Sequence, residues 1–445
     1  MHTHALDGHK EHADGYLIGR GQAWFAFAMT IALMLFDYID RQVIVSLFPY
    51  MRADWGLSDK QLGALVSVLS VTVALGALPV ALFADRYSRV KSIVVMALIW
   101  SAATISCMFS RNYSQLLAAR AMIGLGEAGY GSVGAALIAS VFPVRMRPVL
   151  LAAFFAAASV GSVLGVLLGG LIAARWGWQA AFGVVGIPGL VLALLYLKVR
   201  DYRTVELKPP LDRATRSTGS AAKFIVRALV RAPTMLWVCL GGAAQLIVVS
   251  AVWAWLPSFL NRVHGLAPDQ AAIKAALIVL CGAAGSVIWG AVIGRAGAKR
   301  ARHKLHAMSV LCIAAMLVLM WGFGHMTPGS QSQLWVIALG GLVMTCTVGP
   351  VAAIVIDVVH PGVRATGSSV LALFQNLFGL AAGPFIGGAL SDAFGLETAL
   401  TVIPAFGLLA ALFFTLAART YEADIHRAED SPIEVDRSTS VAQPA

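Results

Sequence analysis

The chain has 445 residues, 59% of them hydrophobic and 12% charged, with a formal net charge of +11. Soluble domains carry about 25% charged residues, so the composition excludes a soluble globular protein and predicts an all-α, polytopic membrane protein. The basic excess is expected to serve topology and anionic lipid, and no nucleic-acid partner is implied.

Residues 1–20 form a polar N-terminal tail carrying His2, His4, His9 and His12. No metal site is expected there, since a short histidine-rich tail without further ligand spacing is usually incidental. A helix of about 20 apolar residues crosses a bilayer core, and such windows fit near 21–47, 61–83, 92–109, 115–141, 150–173 and 179–197. A second set fits near 234–259, 271–293, 305–324, 334–358, 366–389 and 398–418, giving twelve predicted spans. The expected organisation is a first six-helix bundle over 21–197, a cytoplasmic linker over 198–233, a second bundle over 234–419 and a disordered cytoplasmic tail over 420–445.

The first window contains Asp37-Tyr38-Ile39-Asp40-Arg41. Insertion scales put one Asp or Arg at a helix centre at roughly 2.5–3.5 kcal/mol, so these groups should face a polar cavity or one another. Asp37 and Arg41 stand four residues apart and share a helix face. Asp40 is turned about 100° from Arg41 and addresses a different neighbour.

The second window ends in Ala81-Leu82-Phe83-Ala84-Asp85-Arg86-Tyr87-Ser88-Arg89. The fourth holds Arg120, Gly124, Gly126 and Glu127, with Arg120 and Glu127 roughly 10 Å apart along the axis at about 1.5 Å per residue. A cross-helix network of Arg41 and Arg120 with Asp40 and Glu127 is therefore expected. Protonation of Asp40 or Glu127 would free a guanidinium, whose planar fork suits a carboxylate or phosphate.

Landmarks of the first half recur in the second. Gly56-Leu57 and Asp85-Arg86 fall on Gly265-Leu266 and Gly294-Arg295 at an offset of 209, and Gly165, Gly169, Gly170 and Gly177 fall on Gly383, Gly387, Gly388 and Gly395 at 218. Such a repeat predicts two pseudo-symmetric bundles. Gly161, Gly165 and Gly169, with Gly379, Gly383 and Gly387, form smooth ridges for close helix approach, with a rocking contact between the halves as a second expected use. Gln375 and Asn376 in the eleventh window are candidates to line a central cavity. The second half has no counterpart to the four charged residues, so a divided cavity, charged on one side and apolar on the other, is expected.

With the N-terminus inside, 25 of the 33 Lys and Arg residues lie in the termini and the loops after even-numbered spans, against 6 on the opposite side. This bias predicts both termini cytoplasmic in a cell's inner (plasma) membrane. The five cysteines fall inside spans and read as packing residues. No span carries a nucleophile-base or metal-cluster arrangement, so an enzyme is not expected, nor is a cofactor.

These residues resemble the major facilitator superfamily. Residues 81–89 are similar to its motif G-x-L-a-D-r-x-G-r, with Ala81 and Ser88 replacing both glycines, and Arg120, Gly124 and Gly126 resemble its fourth-helix motif. The resemblance implies a cytoplasmic latch at Asp85, with Arg86 and Arg89 in the same motif. Tyr38-Ile-Asp40-Arg41, Gly124-Leu-Gly126-Glu127-Ala128 and Ser258 to Leu266 are similar to the spinster family of lysophospholipid and sphingolipid transporters.

That likeness implies that Asp40, Arg41 and Glu127 handle protons and substrate, with Asp40 and Glu127 the proton-coupling pair and Arg41 the anion contact; Arg120 is a further candidate substrate contact, a proton gradient the expected driving force and a monomer the expected working form. The chain departs from the family at Asp37, where Asn is common, which adds a titratable group as a possible modulator. The anion:cation symporter family shares a similar N-Y-x-D-R and G-x-G-E-A pattern, which keeps a small organic anion such as a hexuronate as the alternative to an amphiphilic one.

Overall fold

A computed structural model describes residues 16–86, 88–201, 232–298, 300–359 and 364–430. Every regular element among the described residues is helical. Twelve stretches are long and apolar enough to cross a membrane. In the first half these are span 1 (Arg20–Trp55), span 2 (Asp59–Ala77), span 3 (Arg89–Met108), span 4 (Tyr113–Val141), span 5 (Arg147–Trp176) and span 6 (Trp178–Tyr196). The second half supplies span 7 (Pro233–Arg262), span 8 (Pro268–Ala296), span 9 (His303–Gly324), span 10 (Gln331–Val358), span 11 (Gly367–Phe394) and span 12 (Leu396–Arg427).

Local chemistry sets the ends of these elements. The side chains of Ser88, Asn112 and Ser330 accept the backbone N–H three residues on, capping spans 3, 4 and 10. Proline opens spans 7 and 8, where its missing N–H costs no helix bond. Gly56, at φ 63°, lets the first chain turn sharply before span 2.

The packing obeys the repeat seen in the sequence. Span 1 packs on 5, 3 on 6, 3 on 4 and 2 on 4, while span 7 packs on 11, 9 on 12, 9 on 10 and 8 on 10. The halves meet through spans 2 and 11 and through spans 5 and 8, pairs that exchange under the same symmetry. The structure is thus two six-helix bundles, as expected.

The glycine ridges act inside each half. A Cβ on Gly161, Gly165 or Gly169 would fall within 2.6 Å of a carbonyl oxygen of span 1, from Leu35, Ile39 and Val43 in turn. In the second half a Cβ on Gly383 would come 2.6 Å from the Ile247 carbonyl oxygen of span 7. The rocking contact expected of these ridges falls elsewhere. Close approach between halves uses Gly63 against Pro384, Gly170 against Ala272 and Gly388 against the Asp59 carbonyl. The ridge residues are turned toward their own bundle because spacing four keeps one face on one neighbour.

The disordered tail expected over 420–445 is corrected for residues 420–430, since the last helix runs Phe406–Asp430. Tyr421 and Asp424 share a buried face, where Tyr421 donates to Asp357 at 2.7 Å and Asp424 accepts the Thr234 N–H at 2.9 Å. Those contacts satisfy polar groups that would otherwise favour an unfolded tail. Asp357 also takes Lys304 at 3.1 Å. The N-terminal histidines, residues 202–231 and residues 431–445 lie outside the described residues.

Candidate functional site

Several spans are interrupted, and the interruptions frame the site. Span 4 consists of helices Tyr113–Glu127 and Tyr130–Val141, with Gly129 at φ 84° between them. Its repeat partner, span 10, is likewise divided into Gln331–Met344 and Val348–Val358. Span 11 carries a π-helical turn at Gln375–Leu380. Paired breaks at corresponding positions of two halves commonly mark a transport site.

Glu127 is the last residue before the break in span 4. Gly124 places this helix against the Leu69 carbonyl of span 2, and Gly126 places it against the backbone of Trp100 in span 3. Glu127 is thereby held between neighbours, and its side chain is fully buried.

Arg41 of span 1 reaches Glu127 with Nε 3.0 Å from Oε2 and reaches Asp37 with Nε 3.2 Å from Oδ1. Its guanidinium also stands 5.2 Å from the centre of the Tyr38 ring, a cation–π distance. Arg120 lies 3.7 Å from Asp40 Oδ1 and donates to the backbone carbonyls of Leu65 and Asp40 at 3.4 Å. The second oxygen of Asp40 accepts the Thr104 hydroxyl of span 3.

The network expected from sequence is present, with the partners sorted as Arg41 to Asp37 and Glu127, and Arg120 to Asp40. Exposure ranks the members. The side chains of Asp37, Asp40, Arg120 and Glu127 are 3% exposed or less, whereas Arg41 is 17% exposed.

Gln375 and Asn376 lie on the π-helical turn, and Asn376 donates to the Ala372 carbonyl of its own helix at 2.9 Å. No hydrogen bond or ion pair joins either to the charged cluster among the described residues. Arg89 ties span 3 to the end of span 4, donating to the Ser140 hydroxyl at 2.7 Å. The side chains of Asp85 and Arg86 lie outside the described residues, as does the latch assigned to them. No group of three or more His, Cys, Asp or Glu side chains is arranged to hold a metal among the described residues.

A second constellation joins the two halves on the face opposite the start of span 1 and the end of span 12, and sequence reasoning missed it. Arg262 at the end of span 7 grips Asp59 at the start of span 2 with both terminal nitrogens, at 2.6 and 2.7 Å. Arg52 and Ser391 add contacts to the same carboxylate at 2.8 and 2.5 Å. Asp392 of span 11 accepts the backbone N–H groups of Asp59 and Lys60 at 2.8 and 2.9 Å, so a carboxylate of one half caps a helix N-terminus of the other. The signal was weak, since Asp59 reads as an ordinary first-turn acid.

Two six-helix bundles related by an internal repeat, enclosing buried opposite charges at broken helices, define the fold of a secondary transporter. Residues 30–382 match the Major Facilitator Superfamily, and the chain belongs to that family of membrane transporters. Within it the chain is similar to spinster proteins and to a gallate transporter. The chain is 27% identical over 390 residues to protein spinster of Drosophila melanogaster, covering 84% of this chain and 63% of the fly protein, so it spans under two thirds of that relative. It is 26% identical over 425 residues to a gallate transporter of Pseudomonas putida, covering 89% and 92%. A solved bacterial homologue of the human lysosomal transporter Spinster, inward-facing and unoccupied, superposes with a TM-score of 0.80 at 23% identity, over 92% of this chain and 99% of that one.

Proposed function

We propose that this transporter works by alternating access and couples proton movement to the passage of an anion across a cell's inner (plasma) membrane, with both termini cytoplasmic. One observation carries the reading: Arg41, the most exposed member of the cluster, is held by two buried carboxyl groups. Protonating those groups removes their hold and leaves a bidentate donor free for a carboxylate or phosphate. Asp40 and Glu127 are the proton-coupling residues in this account, Arg41 and Arg120 the anion contacts, and Gln375 and Asn376 further cavity residues.

The preferred substrate class is an amphiphilic anion such as a lysophospholipid, since the buried charges sit in the first half and the matching break in span 10, residues 345–347, carries no charged residue. A small organic anion is the second reading, favoured by the similarity to a gallate transporter. Uptake into proteoliposomes, with and without an imposed pH gradient, tests both with a panel of lysophospholipids, gallate and a hexuronate. Gradient-dependent uptake lost in Arg41→Ala is expected. Uptake indifferent to both the gradient and Arg41 would overturn the proposal.

A further inference from the structure

We infer that Asp37 is the second acid of the proton site and shares one proton with Glu127 in this conformation. The inference rests on the proton-coupled reading and deepens it. The cluster contains three carboxyl groups, Asp37, Asp40 and Glu127, against two guanidiniums, Arg41 and Arg120. With every acid ionised it would bury a net charge of −1. An uncompensated charge in so closed a setting is strongly disfavoured.

The pairing of acids with guanidiniums says where the compensating proton goes. Asp40 has Arg120 to itself, 3.7 Å from an Oδ1 that receives no hydrogen bond, and its other oxygen lies within reach of the Thr104 hydroxyl. Arg41 has a single Nε–H, which it donates to Asp37. Glu127 lies at ion-pair distance from the same nitrogen, yet both of its oxygens are buried and neither receives a hydrogen bond. Asp37 Oδ1 and Glu127 Oε2 thus crowd one nitrogen, at 3.2 and 3.0 Å. Two buried carboxyls sharing one positive charge cannot both ionise at small cost, and a proton on the pair supplies the donor that Glu127 lacks.

The remaining groups near the pair offer no alternative. Tyr38 presents its ring to Arg41, and Tyr130 of span 4 donates to the Thr30 carbonyl. Spans 5 and 6 pack on span 1. Span 6 contains no charged residue, its Tyr196 bonding to Thr30, and Arg147 and Arg175 lie at the two ends of span 5. Releasing Arg41 then means neutralising a pair of acids, where a chain with Asn at this position would neutralise one.

Infrared spectroscopy of the reconstituted full chain tests this without a substrate. The expected wild-type spectrum at neutral pH contains the carbonyl stretch of a protonated, buried carboxyl group. Asp37→Asn leaves two acids against two guanidiniums and is expected to lose that band, while Asp37→Glu keeps it. Thermal unfolding and gel filtration confirm that each variant is folded. A wild-type spectrum without the band, or one unchanged in folded Asp37→Asn, would overturn the inference. Failure of proton coupling itself reads differently, as an intact band with no proton movement when gallate or a lysophospholipid is added.

Discussion

Asp59→Asn should open the face opposite the termini. The Asp59 carboxylate is 2% exposed and takes two bonds from Arg262, one from Arg52 and one from Ser391. Truncating one partner of a hydrogen-bonded charge pair across an interface costs about 2–5 kcal/mol. Arg262 and Arg52 are 24% and 50% exposed, so solvent can take over part of their loss and the low end applies. A shift of about 2 kcal/mol changes the ratio of open to closed molecules about 30-fold. Spin labels at Ser114 and Ser332, exposed positions on this face in opposite halves, report the separation by pulsed EPR in a background lacking native cysteines. A longer-distance population that grows in Asp59→Asn is expected. An unchanged distance distribution would refute the claim that this carboxylate holds the halves together.

Gly165→Ala should destabilise the first half, because its Cβ would sit 2.6 Å from the Ile39 carbonyl oxygen, whereas Gly131→Ala has open space and serves as control. Overpacking of this kind costs about 1–3 kcal/mol, read as a lower unfolding temperature in detergent for the first variant alone. Thr104→Val removes the hydroxyl that Asp40 accepts and should cost about 1.5–3 kcal/mol, with Thr104→Ser restoring stability in the same assay. Asp424→Ala deletes the acceptor for the Thr234 N–H and should cost about 1 kcal/mol, seen as faster amide exchange at the start of span 7.

Charges standing in apolar runs made Asp37, Asp40, Arg41, Arg120 and Glu127 legible in the sequence, because few other uses justify their desolvation. Their pairing was only partly legible, since it depends on where spans 1 and 4 cross. Thr104 gave no signal: a hydroxyl in a helix commonly reaches a carbonyl four residues back, here Trp100 at 3.0 Å, and only the packing of spans 1 and 3 brings Asp40 within reach of the same hydroxyl. The break after Glu127 was hidden in an unbroken apolar window, where Gly129 reads as one more packing glycine. Asp59 and Arg262 lie 203 residues apart, and only the docking of the bundles brings them together. The helix beyond Arg419 was missed because its polar composition masks the buried face of Tyr421 and Asp424.

Proton movement on addition of an anion tests the central claim most directly. Wild-type and Glu127→Gln proteoliposomes, loaded with a pH-sensitive dye, are challenged with gallate and with a lysophospholipid in parallel with radiolabelled uptake. The account predicts a proton flux accompanying anion movement in the wild type and its loss in Glu127→Gln. Anion uptake with an undiminished proton flux in Glu127→Gln would contradict it.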